Sequence, residues 1–201
     1  MTTRSTGVRS TAGARRATVL ARAVSVFARN GYHATPVADV AEAADISAAY
    51  VFRLFGDKLG LFVAALEHCY SRVMWAMADG ADSAGADATP DDVLYAMGGA
   101  YAALIADNDL LKLQVHALSA ADVPEIGEAV RRGYEQVVTF AQRRSGAAPE
   151  AVQRFIAYGQ LCHLIVAAGL DQVDAPWADA LTAGIRHPDQ TSPAPRQTAS
   201  A

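Results

Sequence analysis

Cysteine is nearly absent: Cys69 and Cys162 are the only two in 201 residues. Two thiols cannot staple a disulfide framework, and their scarcity fits a reducing compartment. Long hydrophobic runs are missing as well. The longest stretch free of Asp, Glu, Lys and Arg, residues 155–170, covers 16 residues and includes Tyr158, Gln160 and His163. A spanning helix needs about 20 predominantly apolar residues, so no membrane segment is expected. Phe and Tyr are few, six and seven against 44 Ala, and Ala is the best helix former. No strand-like alternation survives, so the expected fold class is all-α. Charged residues make up 19% and apolar ones 52%, which excludes a charge-driven disordered chain. A chain of about 200 residues buries more than two-thirds of its unfolded surface, enough for a sizeable core.

Acid is missing from one place in particular. The first 30 residues hold six arginines (Arg4, Arg9, Arg15, Arg16, Arg22, Arg29) and no Asp or Glu. Overall net charge is −4, yet residues 1–60 carry eight basic and four acidic residues, a net of +4. Residues 61–201 carry nine basic and seventeen acidic ones, a net of −8. A basic head on an acidic body implies two different partners, or else a solvated basic tail. An Arg- and Ser/Thr-rich, acid-free start is also transit-peptide composition. The Ala-rich, Arg-for-Lys usage reads instead as high-GC bacterial, and the chain is taken as cytoplasmic.

Signatures of catalysis are missing too. The chain has no HExxH, no Gly-rich phosphate loop, no G-x-S-x-G and no C-x-x-C. His68–Cys69 and Cys162–His163 are adjacent pairs, which point to different helix faces, and neither has a third ligand at helical spacing. No catalytic residue, metal site or cofactor is therefore expected.

What is there is helical periodicity. Residues 1–13 mix Thr, Ser, Gly and Arg without a stripe and predict a disordered basic arm. From Ala14 the pattern turns helical, with Leu20, Ala23, Val24 and Phe27 at i, i+3, i+4 and i+7, and Asn30–Gly31 as a stop. Thr35 reads as an N-cap with Pro36 at the first helical position of a second, short helix. Asp45 and Ile46 break that helix, and Ser47 caps a third running to Phe55. A long fourth helix is predicted from Lys58 to about Ala81, then a loop over 80–90. Further helices are predicted near 90–106, 108–120, 123–145, 149–170 and 175–186. Residues 187–201, rich in Pro, Thr, Ser and Gln, read as a disordered tail.

Two short helices joined by a tight turn behind a longer supporting helix form the geometry of a DNA-reading helix-turn-helix. In the third helix Ile46, Val51 and Phe55 suit the supporting side, which leaves Ala48, Ala49, Tyr50, Phe52 and Arg53 open. Arg is the commonest specific partner of guanine, and small residues let a helix approach base edges closely. Ala48, Tyr50 and Arg53 are thus base-edge candidates. Thr35 and Lys58, at helix N-termini, are phosphate candidates, and the arginines at 4, 9, 15 and 16 would reach the backbone or the minor groove.

The segment from Ala17 through Phe62, including VFARNGYHATPVADVAEAADISAAYVFRLFGDK, resembles the DNA-binding domain of TetR-type regulators. The matching positions are Phe27, Gly31, Tyr32, Thr35, Val40 with Ala41, Phe52, Phe55 and Lys58. Three positions depart from the family pattern: Asp45 and Ala49 stand where Gly is usual, and Phe52 where a phosphate-contacting Tyr is usual. The resemblance implies a helix-turn-helix domain over 14–60, joined by the long helix to an effector-binding and dimerisation domain over 61–186. It also implies a homodimer through the helices near 149–170 and 175–186, operator DNA as partner, and a small-molecule effector, in a regulator that is a repressor. Met74, Trp75, Tyr101, His116, Tyr134, Tyr158 and His163 are the pocket candidates, chosen as aromatic or polar residues on apolar helices. The competing class is an all-helical small-molecule-binding protein or enzyme without a DNA role. An open third-helix face carrying Tyr50 and Arg53 would have no purpose in such a protein.

Overall fold

The structure, a computed structural model, describes residues 6–106 and 108–184. Among them stand nine α-helices and no strand. The first is α1 (Thr6–Ala34), followed by two short helices, α2 (Val37–Ala43) and α3 (Ala48–Phe55), and the long α4 (Lys58–Ser83). The remainder of the bundle is α5 (Pro90–Leu104), α6 (Asn108–Ser119), α7 (Pro124–Ser145) and α8 (Pro149–Ala168). A 3₁₀ turn at Leu170–Gln172 leads to α9 (Pro176–Thr182).

The expected arm is shorter than its composition suggested. Helix α1 begins at Thr6 rather than Ala14, so residues 6–13 extend it; the Ala and Arg that follow are good helix formers and propagate the helix backwards. Residues 1–5 of the expected arm and the whole expected tail, 187–201, lie outside the described residues. The loop near 80–90 also contracts, because α4 runs to Ser83 and α5 opens at Pro90. Thr89 forms a capping box there: its hydroxyl accepts from the Asp92 N–H while the Asp92 carboxylate accepts from the Thr89 N–H.

Helices α1 to α3 and the start of α4 share one small core. Phe27, Val40, Val51, Leu61 and Phe62 are fully buried in it, and Phe27 meets Phe62 edge-on with ring centroids 4.9 Å apart. The α2–α3 turn depends on Asp45, which takes φ 52. Its N–H donates to the Glu42 carbonyl and that of Ile46 to the Ala41 carbonyl, each at 3.0 Å. Asp tolerates the left-handed region better than most residues with a side chain, so the tight turn survives the loss of glycine. Helix α6 lies along α1, and α4 packs on α5 and α7, so the body is built around α4 and α6.

Candidate nucleic-acid interface and ligand cavity

Ser47 caps α3: its hydroxyl accepts from the Tyr50 N–H at 3.2 Å. Val51 turns fully inward, and the opposite face presents Ala49, Phe52 and Arg53 to solvent. Phe52 is 44% exposed, an unusual placement for a Phe with no partner surface. Arg53 leans over the Tyr50 ring, its guanidinium carbon 5.6 Å from the centroid. Ala48 and Tyr50 are half-buried, and Ala48 packs against the core. The third helix thus has one anchored side and one open side carrying a cation and an aromatic ring.

One phosphate candidate, Thr35, sits differently from its sequence reading. Thr35 is completely buried and does not cap α2; its hydroxyl donates back to the Gly31 carbonyl at 2.7 Å. Gly31 (φ 72, ψ −179) breaks the helical path, and Thr35 supplies the hydrogen bond its carbonyl needs. Pro36, in an extended conformation, is the N-cap residue rather than the first helical one. Lys58 does open α4, capped by Asp57, whose carboxylate accepts from the Gly60 N–H at 2.7 Å. The Lys58 ammonium donates to the His33 carbonyl at 3.0 Å and lies 4.9 Å from the Tyr32 ring centroid. An ammonium carries three N–H donors, so this tie to α1 leaves donors for a further acceptor.

Arg15 is exposed. Arg16 is also exposed, but its guanidinium donates to the Leu54 carbonyl at 3.3 Å and stacks on Phe55, 4.3 Å from the centroid. It therefore braces the end of α3 against α1. The ion pairs among the described residues all lie in the body: Arg132 with Glu67 and Glu128, and Arg144 with Asp82. The head arginines Arg15, Arg16, Arg22, Arg29 and Arg53 are thus exposed and outside any ion pair among the described residues. Their charge is uncompensated at short range.

The body holds a half-open cavity of about 410 Å³ between α4, α5, α6, α7 and α8. Of the seven residues expected there, Tyr101, Tyr134, Tyr158 and His163 line it. Met74, Trp75 and His116 do not, which corrects the reading of those three. On α4 the cavity-facing residues are Tyr70, Val73 and Met77, at i, i+3 and i+7. Met74, four positions from Tyr70, is half-buried against the core instead of on the cavity wall, and Trp75, on the other side of α4, is 70% exposed. His116 faces the head: its ring lies against Gly31.

Polar groups on the wall form one pair and one chain of three. Gln160 donates to the Tyr134 hydroxyl at 2.7 Å, and Gln114 donates to the Leu110 carbonyl at 3.2 Å and toward the Tyr101 hydroxyl at 3.4 Å. That hydroxyl in turn meets His163 Nε2 at 2.5 Å. Burial raises the Tyr70, Tyr101 and Tyr134 phenols above their ordinary value, so all three stay protonated at neutral pH. Burial also pushes His163 down to about 4. Gln114 and Gln160 escaped the sequence reading because a lone Gln inside an apolar helix carries no motif. The one available signal was helical phase, since Gln160 is three positions from His163.

Burial pushes Cys69 up to about 12 and raises Cys162, which keeps both as thiols. No group of three or more His, Cys, Asp or Glu poised to hold a metal exists among the described residues, and no described helix is long and apolar enough to cross a membrane.

On the outer side of α8, Ala157, Leu164 and Ala168 are exposed, at i, i+7 and i+11, which places them along one face. Tyr158 is 61% and Leu164 51% exposed, and Trp177 of α9 is 56% exposed. Helix α8 thus leaves one apolar face open.

Residues 19–65 match the family model described as bacterial regulatory proteins, tetR family. Several solved structures share the whole fold. A TetR-family transcriptional regulator from Agrobacterium tumefaciens is 18% identical, with 85% of this chain and 94% of that one covered, at a TM-score of 0.63. A transcriptional regulator FadR from Bacillus subtilis, solved with stearoyl-CoA, is 16% identical over 85% of this chain and 100% of its own, with a TM-score of 0.64. A TetR-like transcriptional regulator from Rhodococcus sp. RHA1 is 19% identical over 87% of each chain, at 0.60. Among curated proteins the chain finds no match.

Proposed function

We propose that this chain, which carries a tetR-family regulatory domain over residues 19–65 on an all-helical TetR-type fold, is a transcriptional regulator that reads operator DNA as a homodimer and is released by a small molecule. The observation that carries the reading is the open face of α3, with Arg53 and Phe52 exposed beside uncompensated head arginines. A helix anchored on one side by Val51 and capped by Ser47 is held rigidly enough to enter a major groove. Ala49 at its open side keeps the approach close, Tyr50 and Arg53 read or line the groove, and Lys58 and Arg15 serve the phosphates. Thr35 and Arg16 then act by position. Thr35 fixes the entry to α2, and Arg16 braces α3.

The open apolar face of α8, with Trp177 on α9, is the surface we assign to the second copy. One helix-turn-helix reads one half-site, and a two-fold partner supplies the other.

Release follows from how the cavity connects to the head. Helix α6 contributes Gln114 to the cavity wall and His116 to the contact with Gly31, two residues apart. Helix α4 runs from Lys58 at the head to Met77 at the cavity. A ligand that fits one arrangement of α4 and α6 better than the other biases the two heads toward or away from operator spacing. The size of that bias equals its difference in affinity for the two states.

Selection from a randomised duplex pool tests the reading. Recovery of a two-fold-symmetric site with half-sites roughly 34–36 Å apart supports it. A pool no different from the input, at a salt concentration where the chain still binds DNA, contradicts it.

A further inference from the structure

This inference rests on reading the cavity as the effector site, and it names the chemistry of the effector. The cavity is long. Its lining runs along α5 from Asp91 to Ala102 and along α8 from Ala151 to His163, which at about 1.5 Å per residue is roughly 16–18 Å. A ten-carbon chain, a zigzag of about 1.5 Å bonds, spans roughly 12 Å and fits within that length. The interior asks little of such a chain. Val73, Met77, Leu94 and Phe155 line it, while Gln160 is tied to Tyr134 and Gln114 to Tyr101 and the Leu110 carbonyl. A hydrocarbon lying along those pairs breaks none of their hydrogen bonds.

The charge is at the mouth. The exposed lining residues are Asp91, Tyr95, Arg154, Tyr158 and Gly184. Asp91 and Tyr95 stand one turn apart on α5, and Arg154 and Tyr158 one turn apart on α8, so the opening is the groove between these two helices. Arg154 is in phase with the cavity side of α8, since Ala151, Arg154, Tyr158 and Cys162 recur at i, i+3, i+7 and i+11. Arg154 and Asp91 are the charged residues of the wall, and neither forms an ion pair among the described residues. An anion seated at Arg154 therefore displaces no existing salt bridge. It also keeps part of its hydration there, which lowers the cost of binding a charge.

We propose that the effector is an amphipathic monoanion, a linear aliphatic carboxylate whose chain fills the long cavity and whose carboxylate meets Arg154 at the mouth. The planar guanidinium offers a fork of N–H donors that matches a carboxylate. Asp91 stands on the α5 side of the same opening and repels further negative charge, so one charge suits the mouth better than several.

The test uses the full chain without DNA and calorimetric titration at neutral pH and low salt with four probes: decanoate, decan-1-ol, decylamine and decanoyl-CoA. Decanoate should bind about fivefold more tightly than decan-1-ol, the value of a charge pair at a solvent-accessible site. That gap should narrow as salt is raised, and decylamine and decanoyl-CoA should bind more weakly than decanoate. Arg154→Gln should bring decanoate down to decan-1-ol. Asp91→Asn should tighten decanoate and leave decan-1-ol unchanged. Both side chains are exposed, and the wild-type comparison stands whether or not either variant folds. Decan-1-ol equal to decanoate, preference for decylamine or decanoyl-CoA, no binding of decanoate, or an Arg154→Gln chain that keeps the preference would overturn the proposal. Because no arm contains DNA, failure of operator selection and failure of this ligand assignment are separate results.

Discussion

The His116 ring of α6 occupies the space that a side chain at Gly31 of α1 would need: a Cβ there would lie 2.8 Å from His116 Nδ1. Gly31 is also the kink of α1, with φ 72, and its carbonyl holds the Thr35 hydroxyl. One glycine thus kinks the supporting helix, positions the entry to α2 and seats a residue of the body against the head. Gly31→Ala should lower the stability of the chain by about 1–3 kcal/mol, since a Cβ meets both backbone strain and the imidazole. Chemical denaturation measures this directly. His116→Ala should leave the melting temperature within a few degrees and operator affinity without effector nearly unchanged, yet weaken effector-driven release. Unaltered release would remove α6 from the connection.

Arg53 and Lys58 should fail in different ways. Arg53 lies on the open face of α3, so Arg53→Ala should relax base preference at its position by about 1–3 kcal/mol in a competition between operator variants. Lys58 serves phosphate and also ties α4 to the His33 carbonyl. Lys58→Ala should weaken all sequences alike and flatten the salt dependence by about one counterion.

Gly133 on α7 faces the Tyr70 ring so closely that a Cβ would run into it. Tyr70 lines the cavity, so Gly133→Ala should tilt that ring inward or lose about 1–3 kcal/mol to overpacking. Ligand titration and thermal melts distinguish the two results. Operator binding without ligand should be intact in either case.

Stability should fall on mild acidification. His163 has its folded pKa at about 4 against an ordinary 6.5, so between these values the unfolded chain binds the proton that the folded chain refuses. The stabilisation is complete above pH 6.5 and is lost as pH falls toward 4, by about 2 kcal/mol at pH 5. His163→Gln should remove this share of the slope in denaturation at pH 5 and 7.5. A smaller slope should remain from His68, which burial and the nearby Arg72 also lower.

The helix-turn-helix was legible because its elements are short and each has a local cause. The stop at Gly31, the Ser47 cap and the apolar Val40 and Val51 all lie within a turn or two of what they determine. Thr35 shows the limit. Its hydroxyl had two acceptable local uses, and the sequence pattern favoured the cap, while the kink at Gly31 decided for the carbonyl. The cavity was only half legible, since its residues come from five helices whose relative rotation no single stretch encodes. Residue type brought forward Tyr101, Tyr134, Tyr158 and His163, which line the cavity, whereas it chose Trp75 over Val73 and Met77, which the helical phase of α4 turns inward. A run of apolar residues on α8 signalled burial, but only the packing separates the His163 side from the open Leu164 side.

The central claim is that two copies of this chain read one operator through paired α3 helices, and native mass spectrometry of the chain with its selected duplex tests it most directly. The account predicts two chains per duplex, with binding that falls steeply as salt rises and that is lost when the exposed Leu164 and Trp177 are both changed to charged residues. A single chain bound to a single half-site, or a stoichiometry unaffected by those two changes, would contradict it.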